Sequence, residues 1–221
     1  MLKKVMPSRY VVRNFQKDSY YHIFNQGVEK RPIFIDETDY STFLYYLTVY
    51  LLPIEKSAQM YPDTPVRLYG KNLTDEVKLI AYCLMPNHFH LFLKQESADG
   101  ISKLLKQLTN AYTLYFNQKY HRVGALMQGP FRAAPVTEDK LFIHLVRYIH
   151  LNPLIAGLTG NLASYRWSSY NGYLDNQTDL PTEKEEILAF FPSVGALKGF
   201  HEDQNDYGKS LDKIKQIKID D

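Results

Sequence analysis

Two strand-forming runs, residues 77–84 (Val-Lys-Leu-Ile-Ala-Tyr-Cys-Leu) and 88–94 (His-Phe-His-Leu-Phe-Leu-Lys), are separated only by Met85-Pro86-Asn87. Apolar runs split by so tight a turn predict an antiparallel hairpin. The flanking segments decide what packs around it. Residues 20–27 are aromatic and β-branched and end at Gly27, which predicts another strand. Asp36 to Leu52 repeats apolar residues at helical spacing (Phe43, Leu44, Leu47, Leu51, Leu52) and stops at Pro53. Gly100 to Tyr120 carries Ile101, Leu104, Leu105, Leu108, Tyr112 and Tyr115 on one helical stripe. Leu126 to Val136, broken by Gly129 and Pro130, predicts an interrupted edge strand. A last helix is predicted from the cap Thr137 to about Leu151, ending near Asn152-Pro153.

The order β-α-β-β-α-β-α predicts an α+β fold. Its first six elements match a ferredoxin-like split βαβ sheet with antiparallel strands, followed by an extra helix toward the C-terminus. The expected organisation is a basic N-terminal arm (1–19), one domain (20–175) and a polar, partly helical or disordered tail (176–221). A loop-like insertion at 54–76 holds Pro62, Pro65 and Gly70. The aromatic segment Tyr165 to Leu174 is expected to pack back onto the body, and 183–191 to form a helix.

Charge and cysteine content narrow the function classes. Residues 1–182 carry 20 Lys and Arg against 15 Asp and Glu, while 183–221 carry 6 against 9. A basic body with an acidic tail permits a polyanionic partner, and the tail is a candidate competitor for phosphates. The single cysteine, Cys83, excludes a disulfide framework or a Cys-cluster zinc site and fits a reducing, cytoplasmic compartment. No run of about 18 apolar residues exists to span a membrane.

Two constellations carry chemistry. In His88-Phe89-His90, alternate strand residues share a face, so both imidazoles point the same way, roughly 7 Å apart along the strand. They can converge on one ion, or they can be two satisfied histidines on a strand face. In Arg147-Tyr148-Ile149-His150-Leu151-Asn152-Pro153, Tyr148 and Asn152 lie one helical turn apart on one face. An amide oxygen can be a third ligand and a phenol one turn back a nucleophile. With 18 tyrosines in the chain, Tyr148 can equally be a core-edge residue and Asn152 a helix end. His144, four residues before Tyr148, reads more readily as packing. His150 faces elsewhere on the helix, His22 lies on the first strand, and His121 and His201 fall in predicted loops.

Taken together, these segments resemble a known family. The stretch MPNHFHLFL (85–93) resembles the His-hydrophobic-His motif of HUH single-tyrosine transposases, of the insertion-sequence 200-like type. RYIHLNPLIAGL (147–158) followed by WSSY (167–170) resembles the tyrosine-helix segment of the REP-associated tyrosine transposase group. YYHIFNQGVEKRPIF (20–34) resembles that group's first strand and loop. The resemblance implies cleavage and rejoining of single-stranded or hairpin DNA through a 5′-phosphotyrosine, in the nucleoid, with no nucleotide cofactor. It puts the nucleophile at Tyr148 and the metal ligands at His88, His90 and Asn152.

Two imidazoles and an amide oxygen would suit zinc by ligand softness. An open, water-rich shell without cysteine fits Mg²⁺ or Mn²⁺, which the resemblance also implies. Lys30, Arg31, Arg132 and Arg147 are the candidate phosphate contacts, with Tyr20, Tyr21 and Phe131 as stacking surfaces. A second copy of the chain is a candidate partner. Two other functions compete: a non-catalytic nucleic-acid-binding module of ferredoxin-like fold, and a phosphodiesterase that uses water.

Overall fold

A computed structural model describes residues 15–174 and 182–203. Most of the basic arm and the tail segments 175–181 and 204–221 lie outside the described residues. Four strands form one antiparallel sheet: β1 (Ser19–Gln26), β2 (Val77–Met85), β3 (His88–Gln95) and β4 (Arg132–Val136). Their order across the sheet is β2-β3-β1-β4. With α1 (Glu37–Leu51) between β1 and β2 and α4 (Gly100–Lys119) between β3 and β4, this is the ferredoxin-like α+β arrangement that the element order predicts.

One face of the sheet carries a wholly conventional core. Tyr21, Ile23, Leu79, Tyr82, Leu84, Phe89, Leu91 and Leu93 point toward α1 and α4, which return Phe43, Leu47, Leu104, Leu105, Leu108 and Tyr112. Burying each such side chain contributes about 1.5–3 kcal/mol. Asp36 caps α1 through a reciprocal capping box with Asp39. Lys119 from α4 clamps both carboxylates, at 2.7 Å and 2.8 Å.

The insertion 54–76 is not an open loop. It folds as α2 (Ile54–Met60) and α3 (Val66–Tyr69), because Leu68 and Leu73 anchor it to the core and Asn72 donates to the carbonyls of Val49 and Leu52. Proline at 53 and 65 starts these helices rather than preventing them.

The opposite face is covered by α5 (Asp139–Ile155), α6 (Tyr170–Leu174), α7 (Glu185–Leu188) and α8 (Val194–Glu202). Helix α5 runs through Pro153 instead of stopping before it. The ring removes one donor from the helix, at its own nitrogen, and the helix continues for two residues past it. Glu138 takes the cap position expected of Thr137, without a side-chain bond. The aromatic segment does return to the sheet: Leu84 N–H donates to Trp167 O, and Tyr165 Oη donates to Leu84 O at 2.6 Å.

Residues 182–203 are a folded part of this layer. Ile187 and Leu197 are buried, and Phe200 lies over α5. All of the tail's acidic excess falls in 183–203, since 204–221 holds equal numbers of lysines and aspartates. Two of those acids are engaged by the sheet: Glu183 pairs with Lys78 at 3.7 Å, and Glu186 with Lys94 at 3.3 Å. Those carboxylates neutralise their own lysines, which weakens the reading of this segment as a mask for phosphate sites.

Candidate phosphoryl-transfer site

The strand register explains how the site assembles. β3 pairs with β1 so that His88 lies opposite Gln26, His90 opposite Phe24 and Phe92 opposite His22. Period-two alternation puts His22, Phe24 and Gln26 on the same face as His88 and His90. That face is the one covered by α5. The imidazoles of His88 and His90 lie 4.9 Å apart between ring centroids. Tyr148, reaching down from α5, sets its ring edge-on to His90 at 5.6 Å and to His22 at 6.1 Å. The histidine pair and the tyrosine, 58 or more residues apart in sequence, therefore meet within one chain.

Each candidate donor has its inner atom tied. His88 Nδ1 meets Asn87 Oδ1 at 2.7 Å, and His90 Nδ1 meets His22 Nε2 at 2.9 Å. Asn152 Nδ2 donates to the carbonyl of Tyr148 at 2.9 Å, which turns its Oδ1 away from that carbonyl. Two Nε2 nitrogens and one amide oxygen are the donor atoms that His88, His90 and Asn152 would offer a cation. That donor set suits a divalent ion that keeps open positions for water or phosphate oxygens. Among the described residues, no group of three or more His, Cys, Asp or Glu could hold a metal. His90, Tyr148 and Asn152 are buried, and His88 is half-buried with its Nε2 shielded from solvent.

The four basic candidates do not cluster. Lys30 and Arg31 lie in the loop after β1. A side chain at Gly27 would collide with the Arg31 carbonyl, so glycine allows this loop to fold back on itself. Asn87 donates to Lys30 O at 3.3 Å, and Ile33 N–H to Pro86 O at 2.8 Å, so the loop leans on the turn before His88. Lys30 is exposed, and Arg31 donates to Val28 O. Arg132 is half-buried opposite Phe24, on the same sheet face as His90. Arg147 is 0% exposed, with its guanidinium stacked on Phe200 at 4.7 Å. In this arrangement it is a core residue under α8, away from any surface a phosphate reaches. Of the aromatics, Tyr21 is buried, Tyr20 packs on Phe142 and donates to Glu186, and Phe131 is half-buried against Phe15.

The remaining histidines divide the same way. His144 packs against Phe200 at 5.4 Å. His150 faces away from Tyr148 and joins a buried chain: its Nε2 meets Ser169 Oγ at 2.8 Å and its Nδ1 meets His201 Nε2 at 3.0 Å. Burial holds both imidazoles below the usual histidine range, His201 at about 4, with Arg147 pushing His201 the same way. His201 is thus part of a helix core and not of a loop. The Cys83 thiol, fully buried, is pushed far up by burial and is no nucleophile at neutral pH. A separate groove of about 540 Å³ opens on the α4 side, lined by Asn25, Lys106, Thr109, Asn117 and Phe131 among others. Neither the histidine pair nor Tyr148 lines it.

Sequence reading passes over His22. The signal that reveals it is the β1–β3 register, which a single sequence does not contain.

Residues 67–152 match the family model described as transposase, IS200-like. No curated protein matches the chain significantly. One solved structure, described as a REP-associated tyrosine transposase bound to a REP hairpin, is 16% identical. The match covers 75% of this chain and 84% of that one, with a TM-score of 0.48. Another, a candidate transposase from Deinococcus radiodurans R1, is 15% identical over 65% of this chain and 95% of its own, with a TM-score of 0.34. Over residues 67–152, the stretch that carries both the histidine strand and Tyr148, the chain matches the IS200-like transposase family.

Proposed function

We propose that the protein is a metal-dependent DNA strand transferase that nicks and rejoins single-stranded DNA beside a hairpin, as a transposase of the REP-associated tyrosine type or a domesticated relative. The observation that carries this reading is the edge of Tyr148 set against His90, itself 4.9 Å from His88. The ring of a tyrosine and a pair of imidazoles from distant parts of one chain lie side by side, which supports their roles as nucleophile and metal ligands.

The chemistry follows from what each group can do. A phenol with its ordinary pKa near 10 is a weak nucleophile at neutral pH. A bound Mg²⁺ or Mn²⁺ would polarise a phosphoryl oxygen and orient the phosphate for in-line attack. His88, His90 and Asn152 would hold it. The Tyr148 oxygen then bonds to phosphorus as the bond from phosphorus to the 3′ oxygen breaks. The phenol proton leaves to solvent and the departing 3′ oxygen takes one up. The product is a 5′-phosphotyrosine and a free 3′-OH. The new ester retains the energy of the old one, so rejoining runs the same step backward without a nucleotide cofactor. Lys30, Arg31 and Arg132 are the basic groups this reading assigns to the DNA backbone.

The test is incubation with hairpin-bearing single-stranded DNA and Mn²⁺, followed by denaturing electrophoresis. An adduct that survives denaturation and vanishes in Tyr148→Phe supports the proposal. Cleavage without adduct, unchanged in Tyr148→Phe, replaces it with hydrolysis by water. A second reading, the non-catalytic binding module, is favoured by one fact: Tyr148 is only 1% exposed. Hairpin binding with neither adduct nor cleavage, across a panel of hairpins, would select it.

A further inference from the structure

We infer that His22 is a positioning residue of this site. It holds His90 by its Nδ1 and thereby aims His90 Nε2 at the place a divalent ion would occupy. The inference rests on the metal-site reading above.

The contact is direct: His22 Nε2 lies 2.9 Å from His90 Nδ1. The two rings stack at 5.1 Å with planes 22° apart. The register makes this a diagonal pair, since His90 faces Phe24 and His22 faces Phe92. Diagonal neighbours across an antiparallel pair are within reach of long side chains. β1 is hydrogen-bonded on both sides, to β3 and to β4, so the ring that holds His90 is mounted on a central strand. His22 is 1% exposed, and the rings of Phe24 at 5.1 Å and Tyr148 at 6.1 Å also lie against it. One imidazole thus touches both a candidate ligand and the candidate nucleophile.

The chemistry fixes the polarity of the pair. A neutral histidine that binds a cation through Nε2 keeps its proton on Nδ1. His90 Nδ1–H then donates, and His22 Nε2 must accept. An acceptor behind a ligating histidine sets both its tautomer and its ring orientation, and losing one typically costs ~10–100-fold in metal affinity. His88 has a corresponding acceptor in Asn87 Oδ1, but that residue lies half-buried in a turn. The two histidines of the motif are therefore supported unequally, one by a core ring and one by a surface amide.

The experiment measures Mn²⁺ affinity of the full chain by electron paramagnetic resonance of the free ion. Wild type, His88→Ala, His22→Phe and His22→Gln are compared, and melting of the metal-free proteins monitors folding. Phenylalanine keeps the ring and removes the acceptor, while glutamine restores an acceptor oxygen. The expected result is a ~10–100-fold loss in His22→Phe and recovery of most of it in His22→Gln. Wild-type affinity in His22→Phe, or equal losses in both variants, overturns the inference and leaves the metal site standing. Absence of Mn²⁺ binding in wild type, or wild-type binding in His88→Ala, overturns the metal-site reading and the inference with it. If His22→Phe does not fold, histidine nitrogen correlations of the Mg²⁺-saturated wild type decide. A proton on His90 Nδ1 supports the inference and one on Nε2 overturns it.

Discussion

The two faces of the sheet obey different rules. Toward α1 and α4 the buried side chains are apolar or aromatic, and the few polar ones are locked into caps and turns. Asp39 sits in its capping box, and Gln95 accepts from Ile101 N–H and donates to Ala98 O. Toward α5 the core carries His22, His90, His150 and His201, together with Arg147, Asn152 and Ser169. Among the described residues, every buried histidine and the buried arginine lie on that side. Buried polar groups cost stability unless each is paired, so a layer built this way gives up stability that the other face does not. Departures from core rules concentrated in one layer are what a functional site leaves behind. One sheet face carries an almost wholly apolar core, and the other mixes its apolar core with the buried histidines and arginine.

That division is broken most severely by removing mass from the first face. Phe43 is 0% exposed and packs on Phe34, Phe89 and Tyr112. Phe43→Ala should cost about 3–5 kcal/mol, read from urea unfolding. If the function proposed above holds, the protein that remains folded should bind hairpin DNA as wild type does. A loss of DNA binding larger than the loss of folded protein would show that the two faces are coupled after all.

Much of this division was legible in the residue pattern, and some of it could not be. The hairpin, the helical stripe from Ile101 to Tyr115 and the sharing of a face by His88 and His90 follow from periodicity, which is local. The folding of 54–76 was hidden because its anchors, Leu68 and Leu73, are single apolar residues among prolines and polar residues. Arg147 read as a surface cation because charge is visible in a sequence and a covering ring, Phe200, fifty-three residues away is not. His22 and His201 eluded the reading for the same reason: their partners are set by strand register and by the docking of α8. The tail's acids read as free charge, yet two of them pair with lysines on distant strands. Long-range pairing is the information a one-dimensional pattern lacks.

Acid should sharpen the comparison by loosening the second face first, before the carboxylates of the α1–α4 clamp protonate. His201 is held near 4 in the folded protein, against 6.5 for a free imidazole, chiefly by burial. Below 6.5 the unfolded chain binds a proton that the folded chain refuses, so stability falls as pH drops from about 6.5 toward 4. The full shift is worth about 3 kcal/mol, and the depressed His150 acts in the same direction. Urea midpoints measured from pH 7 to pH 4 should decline, and the decline should shrink in His201→Gln, which keeps hydrogen-bonding groups without titrating. A decline of the same size in that variant would place the acid sensitivity elsewhere.

The smallest effect tests how the second layer is tied to the sheet. Glu186 of α7 accepts from Tyr20 Oη at 2.5 Å and pairs with Lys94 at 3.3 Å. Burial, with Glu186 adding to it, pushes the Tyr20 phenol up to about 12. Removing the carboxylate charge should therefore lower the Tyr20 pKa toward 10 without reaching it, because the burial of the ring remains. Exposed ion pairs contribute little, so Glu186→Gln should change stability by only about 0.2–1 kcal/mol. Ultraviolet titration reads the phenol directly, with Tyr20→Phe identifying its step among the tyrosines. An unmoved Tyr20 step would mean that α7 does not hold this position in solution, and that the tail's contribution to the layer rests on α8 alone.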